Sequence, residues 1–134
     1  MKLRILAAMA VLGLMLAGSP SYAHHSGQAQ FDFSKPIDVT GTVTRIEFIN
    51  PHGYLYMESK DETGKVHTWA FELVGPAYLR KAGLGRGSGA IKIGDTLTVH
   101  AMAAKDGTDS GLTFTIKLAD GRTVTVLTAA DPNL

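Results

Sequence analysis

The sequence predicts a mainly β domain, a small barrel of five to six strands with one short helix. Three observations carry this prediction. From Ile37 onward, apolar and polar residues alternate with a period of two, the period of strands buried on one face. Turn residues interrupt the alternation at Asn50-Pro51, in KDETGK and KDGTDSG, and at Asp120-Gly121. One stretch of the domain, GPAYLRKAG over 75–83, carries helix signals, with Pro76 suited to the first helical position and Gly83 to the C-terminal cap.

Ahead of the domain the composition changes. Lys2 and Arg4 form a short basic start, and Ile5 to Gly18 is an uncharged, mostly apolar run, shorter than the roughly 20 residues a membrane-spanning helix needs. Pro20 breaks that run, and Ser21 and Ala23 place small residues where a signal peptidase accepts them. A signal peptide over 1–23 is therefore expected, cut after Ala23, with a periplasmic or secreted product that keeps no stable membrane anchor. The chain has no cysteine, so disulfides and a lipid-bearing N-terminal cysteine are both ruled out. The mature chain would have 111 residues (134 less 23), enough for one domain. It would carry 11 basic side chains (13 less Lys2 and Arg4) against 12 acidic ones, a net charge of −1 where the whole chain has +1. No stripe of Lys and Arg is present to displace counterions, so nucleic acid is not an expected partner.

In chain order, residues 24–36 are expected to form an arm. IDVTGTV then sets Ile37, Val39, Gly41 and Val43 on one face, and Ile46 and Phe48 take over in the opposite phase. That slip near Thr44 and Arg45 predicts a bulge in a long first strand, with Gly41 as a bend point. Asn50-Pro51 ends the strand because proline lacks the N–H that a ladder needs. GYLYMES puts Leu55 and Met57 on one face and Tyr54, Tyr56 and Glu58 on the other, and VHTWAFEL gathers His67, Trp69, Phe71 and Leu73. After the helix, Thr96 to Ala103 alternates Leu97, Val99 and Ala101 with His100 and Met102. Leu112, Phe114, Ile116 and Leu118 then alternate with threonines and Lys117, and Asp120-Gly121 turns the chain into RTVTVL. Three strands, a short helix and two or three further strands is the order of an OB-like barrel over 37–128, with another small barrel or sandwich as the rival and 129–134 as a tail.

Several short stretches taken together resemble a known group. HHS at 24–26, FD at 31–32, GTV at 41–43, NPH at 50–52, WAFE at 69–72, GD at 94–95 and ADGR at 119–122 resemble a family of small exported bacterial proteins of unknown function, over nearly the whole mature chain. TGTV at 40–43 with NPH is more distantly similar to periplasmic OB-fold stress proteins. The resemblance implies export and an OB-like barrel, and it implies no activity. GLGRGSGA at 83–90 is richer in glycine than that pattern.

The residues that carry chemistry are histidines. If the mature chain starts at His24, its α-amine and imidazole form a chelate suited to Cu(II), which favours nitrogen ligands in a tetragonal plane. His25 adds a second imidazole, and His52, at a strand mouth after Asn50-Pro51, is the expected partner from the barrel. His100 and Met102, sharing one face of a strand, form a weaker pair suited to Cu(I). Glu72 is a candidate outer carboxylate that would fix a histidine ring, or a partner for Lys65 or Arg80. His67, beside Trp69 and Phe71, reads as a satisfied histidine of the core or barrel mouth. Tyr54 and Tyr56 project from a sheet face that OB-folds use for ligands, and with no neighbouring basic residue they favour a sugar, an apolar ligand or a protein edge.

No catalytic residues are predicted. GRGSGA lacks the preceding strand and following helix of a dinucleotide site. The serines have no nucleophile elbow, and Asp61 and Glu62 sit in a turn where solvated charge explains them. The expectation is an exported binding module taking copper or another divalent metal at its N-terminal histidines. The alternative is an adaptor for a small ligand or an envelope protein on the tyrosine face.

Overall fold

The computed structural model describes residues 27–128; the expected signal peptide, His24 and His25, and the tail at 129–134 lie outside the described residues. The fold is mainly β. Six strands, β1 (Phe31–Glu47), β2 (Tyr54–Lys60), β3 (Val66–Glu72), β4 (Thr96–Ala104), β5 (Ser110–Lys117) and β6 (Thr123–Thr125), accompany two short helices, α1 (Gly27–Gln30) and α2 (Pro76–Lys81). The sheet runs in the order β3-β2-β1-β4-β5-β6, antiparallel throughout, and a parallel β3–β5 pairing turns it into a ring.

β1 is long because it serves two neighbours. Its first part pairs with β4 from Phe31↔Ala104 to Thr42↔Thr96, and its last part pairs with β2 from Thr42↔Glu58 to Glu47↔Tyr54. The register slips between Val43 and Arg45, where the apolar phase of the sequence flips. A bulge there lets Val39 and Val43 point into the core before it, and Ile46 and Phe48 pack on the same core after it. At the crossing, a Cβ on Gly41 would lie 2.5 Å from the Glu58 carbonyl oxygen, so β1 and β2 meet closely only because this residue has no side chain.

Leu55, Met57, Phe71, Leu73, Leu97, Val99 and Ile116 fill the ring, and Leu79 of α2 closes one end of it. Trp69 stacks on Phe71 with ring centres 5.5 Å apart, and its indole N–H donates to Ser59 Oγ at 3.0 Å, which satisfies the polar edge of a half-buried ring. The glycine-rich loop before β4 is tied back where Gly94 N donates to Val43 O at 2.8 Å and Val43 N to Asp95 O at 2.9 Å.

One expectation is corrected and two details are added. The arm expected over 24–36 is partly built into the fold, since α1 covers Gly27–Gln30 and β1 starts at Phe31. The helix count rises accordingly from the one expected to two. Lys105 holds α1 in place, its backbone N–H donating to Gln30 O at 2.9 Å and its Nζ to Gln28 O at 2.6 Å. The second added detail is a bulge in β5: Thr115 faces His100 and Thr113 faces Ala101, leaving Phe114 extra. Ile116 and Leu118 therefore enter the main core, whereas Leu112 and Phe114 join Phe31, Ala104 and Leu127 in a separate apolar cluster. Phe33 meets Phe114 edge-on at 6.0 Å, and Met102 and Val74 pack on the same cluster.

Candidate functional site

His52 is set between two close backbone approaches. A Cβ on Gly53 would lie 2.9 Å from Glu47 O and 3.1 Å from Leu79 Cδ1, and one on Gly75 would lie 2.7 Å from Pro51 O. Gly53 also donates to Val74 O at 3.3 Å and accepts from Leu73 N at 2.9 Å, so the NPHG segment is clamped to the end of β3. The Asn50–Pro51 peptide in that segment is cis.

This placement brings His52 to Glu72. Nδ1 lies 2.6 Å from Glu72 Oε1, with the imidazole 41% exposed and the carboxylate 13% exposed. A carboxylate only accepts, so Nδ1 donates, and in the neutral ring the lone pair is left on Nε2. A half-exposed histidine with an oriented ring and a free Nε2 is the form in which a protein presents an imidazole to a metal.

Tyr54 lies beside the pair, opposite Glu72 in the β2–β3 register. Burial first, and then the Glu72 charge, raise its phenol above the ordinary value, so it stays protonated at neutral pH. Tyr56 is 6.3 Å from Tyr54, ring centre to ring centre. Its hydroxyl donates to Glu47 Oε2 at 3.2 Å, and the Arg45 guanidinium sits 3.8 Å over its ring while bonding Glu47 Oε1 at 3.2 Å. The tyrosine face thus does have a basic neighbour. Arg45 occupies one face of Tyr56.

The other histidines have their own carboxylates. His100 Nδ1 is 2.9 Å from Asp38 Oδ1, across the β1–β4 pairing. Met102, two residues on, packs on the outer apolar cluster, so the two are engaged separately. His67 is bonded at both nitrogens, Nδ1 to Asp109 Oδ2 at 2.9 Å and Nε2 to Asp61 Oδ2 at 3.2 Å. Asp109 first, then Asp61, hold its imidazole above the ordinary value against burial and Lys65. Among the described residues, no three His, Asp or Glu side chains gather in a way that could hold a metal. Arg45, Glu47, Asp38, Asp61 and Asp109 are the partners that sequence reasoning did not assign. Asp38 and Asp109 act across 62 and 42 residues, for which the sequence carries no local signal.

The start of β1 and the end of β3 both meet β5. Phe31 belongs to the cluster that contains Leu112, and Leu112 is the β5 partner of Glu72. The four residues of α1 span about 6 Å.

No curated protein sequence matches the chain. Residues 11–114, more than half of the 134 residues, match the family of unknown function DUF6152, and the chain belongs to that family.

Proposed function

We propose that the protein is an exported binding module that takes Cu(II), or a divalent metal of similar preference, between the mature N-terminal histidines His24 and His25 and the barrel residue His52. The observation that carries this reading is the 2.6 Å contact between His52 Nδ1 and Glu72 Oε1. That contact leaves Nε2 as the ring nitrogen available to a ligand on a clamped, half-exposed loop; the arm ahead of α1 would have to supply the other nitrogens. Copper has the ligand preference that an α-amine and imidazoles meet. Its role there would be buffering, delivery or sensing of the metal outside the cytoplasm.

Mass spectrometry of the exported protein establishes the first residue, which must be His24 for the amine to take part. Calorimetry and EPR with Cu(II) on that protein should then show binding at about micromolar or tighter. His24→Ala and His52→Ala should each weaken binding and change the EPR parameters. Binding that both variants retain unchanged would overturn the reading.

A further inference from the structure

We propose that His67 is a protonation-dependent latch across the seam where the ring of strands closes. It does not rest on the metal reading, because the latch shares no residue with His52 or Glu72.

The seam is thin. β3 and β5 pair only at Ala70↔Ser110, Phe71↔Gly111 and Glu72↔Leu112, and the first half of β3, Val66–Trp69, has no β5 partner. The hydrogen bond that starts the seam runs from Ala70 N to Asp109 O at 3.0 Å. His67 lies three residues before it and grips the turns on both sides. Nδ1 reaches Asp109 of the β4–β5 turn at 2.9 Å, and Nε2 reaches Asp61 of the β2–β3 turn at 3.2 Å.

Each turn is organised without the histidine. Asp61 Oδ1 accepts from Thr63 N at 2.8 Å, Thr63 Oγ1 at 2.6 Å and Lys65 N at 3.0 Å. Asp106 Oδ1 accepts from Thr108 N at 3.0 Å and Thr108 Oγ1 at 2.7 Å, and Thr108 Oγ1 meets Ser110 Oγ at 2.8 Å. Among the described residues, the imidazole bonds both preformed turns at once, and on the β4–β5 side it adds to the Ala70–Asp109 backbone bond.

Both contacts are to acceptor-only oxygens, so both ring nitrogens must donate, and only the imidazolium carries two N–H groups. The neutral ring has one and must release a carboxylate. Among the described residues, the charged groups facing the ring are Asp61 and Lys65 from the β2–β3 turn and Asp109 from the β4–β5 turn; the carboxylates favour the cation and Lys65 opposes it. The sign follows from linkage. A group whose pKa is raised on folding contributes its stability fully below the unfolded value, and that stability is lost as pH rises through the folded value. The latch holds in mild acid and loosens in alkali, weakening the seam at its Ala70 end.

Two measurements on the whole mature protein test this. Nitrogen NMR of the ring gives the His67 pKa and shows whether both nitrogens are protonated at pH 5. Hydrogen exchange, corrected for its intrinsic pH dependence, gives the protection of the Ala70 amide from pH 5 to 9. The expected result is a pKa above that of a free histidine and a loss of Ala70 protection across the titration. The loss should approach tenfold for each unit of displacement. His67→Gln should abolish the pH dependence. Asp109→Asn, which keeps the acceptor shape and removes the charge, should shrink both the displacement and the protection change, and it serves if His67→Gln does not fold. An ordinary His67 pKa, or Ala70 protection that stays level while His67 titrates, would overturn the latch.

Discussion

At the scale of single residues, the side chains that matter most in this protein are histidines held by carboxylates, and the carboxylate decides what each ring can do. His52 has one partner and keeps a nitrogen free, whereas His67 has two and keeps none. Replacing Glu72 by Gln keeps the size and removes the charge that orients His52. Metal affinity should then fall by about 10- to 100-fold, the range for loss of an outer carboxylate, with the fold intact by circular dichroism. Gly53→Ala acts from the other side. Its new methyl group meets Glu47 O and Leu79 Cδ1 inside ordinary contact distance, and overpacking of this kind costs about 1–3 kcal/mol, readable as a lower denaturant midpoint. His52 could be singled out from the sequence because NPH follows a strand and precedes another. Glu72 was one of several possible supports, since nothing local says which histidine a carboxylate in WAFE will face. The His67 bonds to Asp61 and Asp109 were not legible, because Asp109 lies 42 residues away and both acids look like ordinary turn residues.

At the scale of elements, the contrast between the bulges of β1 and β5 shows what a period-two pattern can reveal. In β1 the bulge changes which letters are apolar, so the phase flip from Val43 to Ile46 is visible in the sequence. In β5 it does not, because Leu112 and Phe114 before the shift and Ile116 and Leu118 after it all sit at alternate positions. Outside the ring, the first pair finds its own apolar cover in Phe31, Phe33 and Leu127, and no polar residue betrays the change of face. The two aromatic positions should therefore respond differently to truncation. Phe71→Ala, in the middle of the ring, should cost about 3–5 kcal/mol of global stability by denaturant titration. Phe114→Ala should mainly loosen the start of β1, with faster amide exchange confined to residues 31–36 and little change in β2.

At the scale of the whole molecule, the ring was legible as a count and order of strands, while the pair of strands that closes it was not. Alternation and turn residues locate strands, but the parallel contact of β3 with β5 joins segments with a helix and a strand between them. The pH dependence of stability is also a property of the whole. Asp61, Asp32, Asp106 and Asp120 are all held below the ordinary carboxylate range, each by hydrogen bonds from the residue two positions on. Their contribution is present above the unfolded pKa and is lost as pH falls through the folded values, the reverse of the His67 case. Denaturant midpoints measured from pH 2 to 9 should therefore trace a broad dome. Asp61→Asn should flatten its acid side, and His67→Gln its alkaline side. Finally, Phe31 and Leu127 share one apolar cluster, so the first and last parts of the described residues meet on one flank. A purification handle fused to either end would hang beside the arm. A C-terminal hexahistidine tag would add six imidazoles that compete for the metal in any test of the proposed site, so that test calls for untagged protein released with its natural first residue.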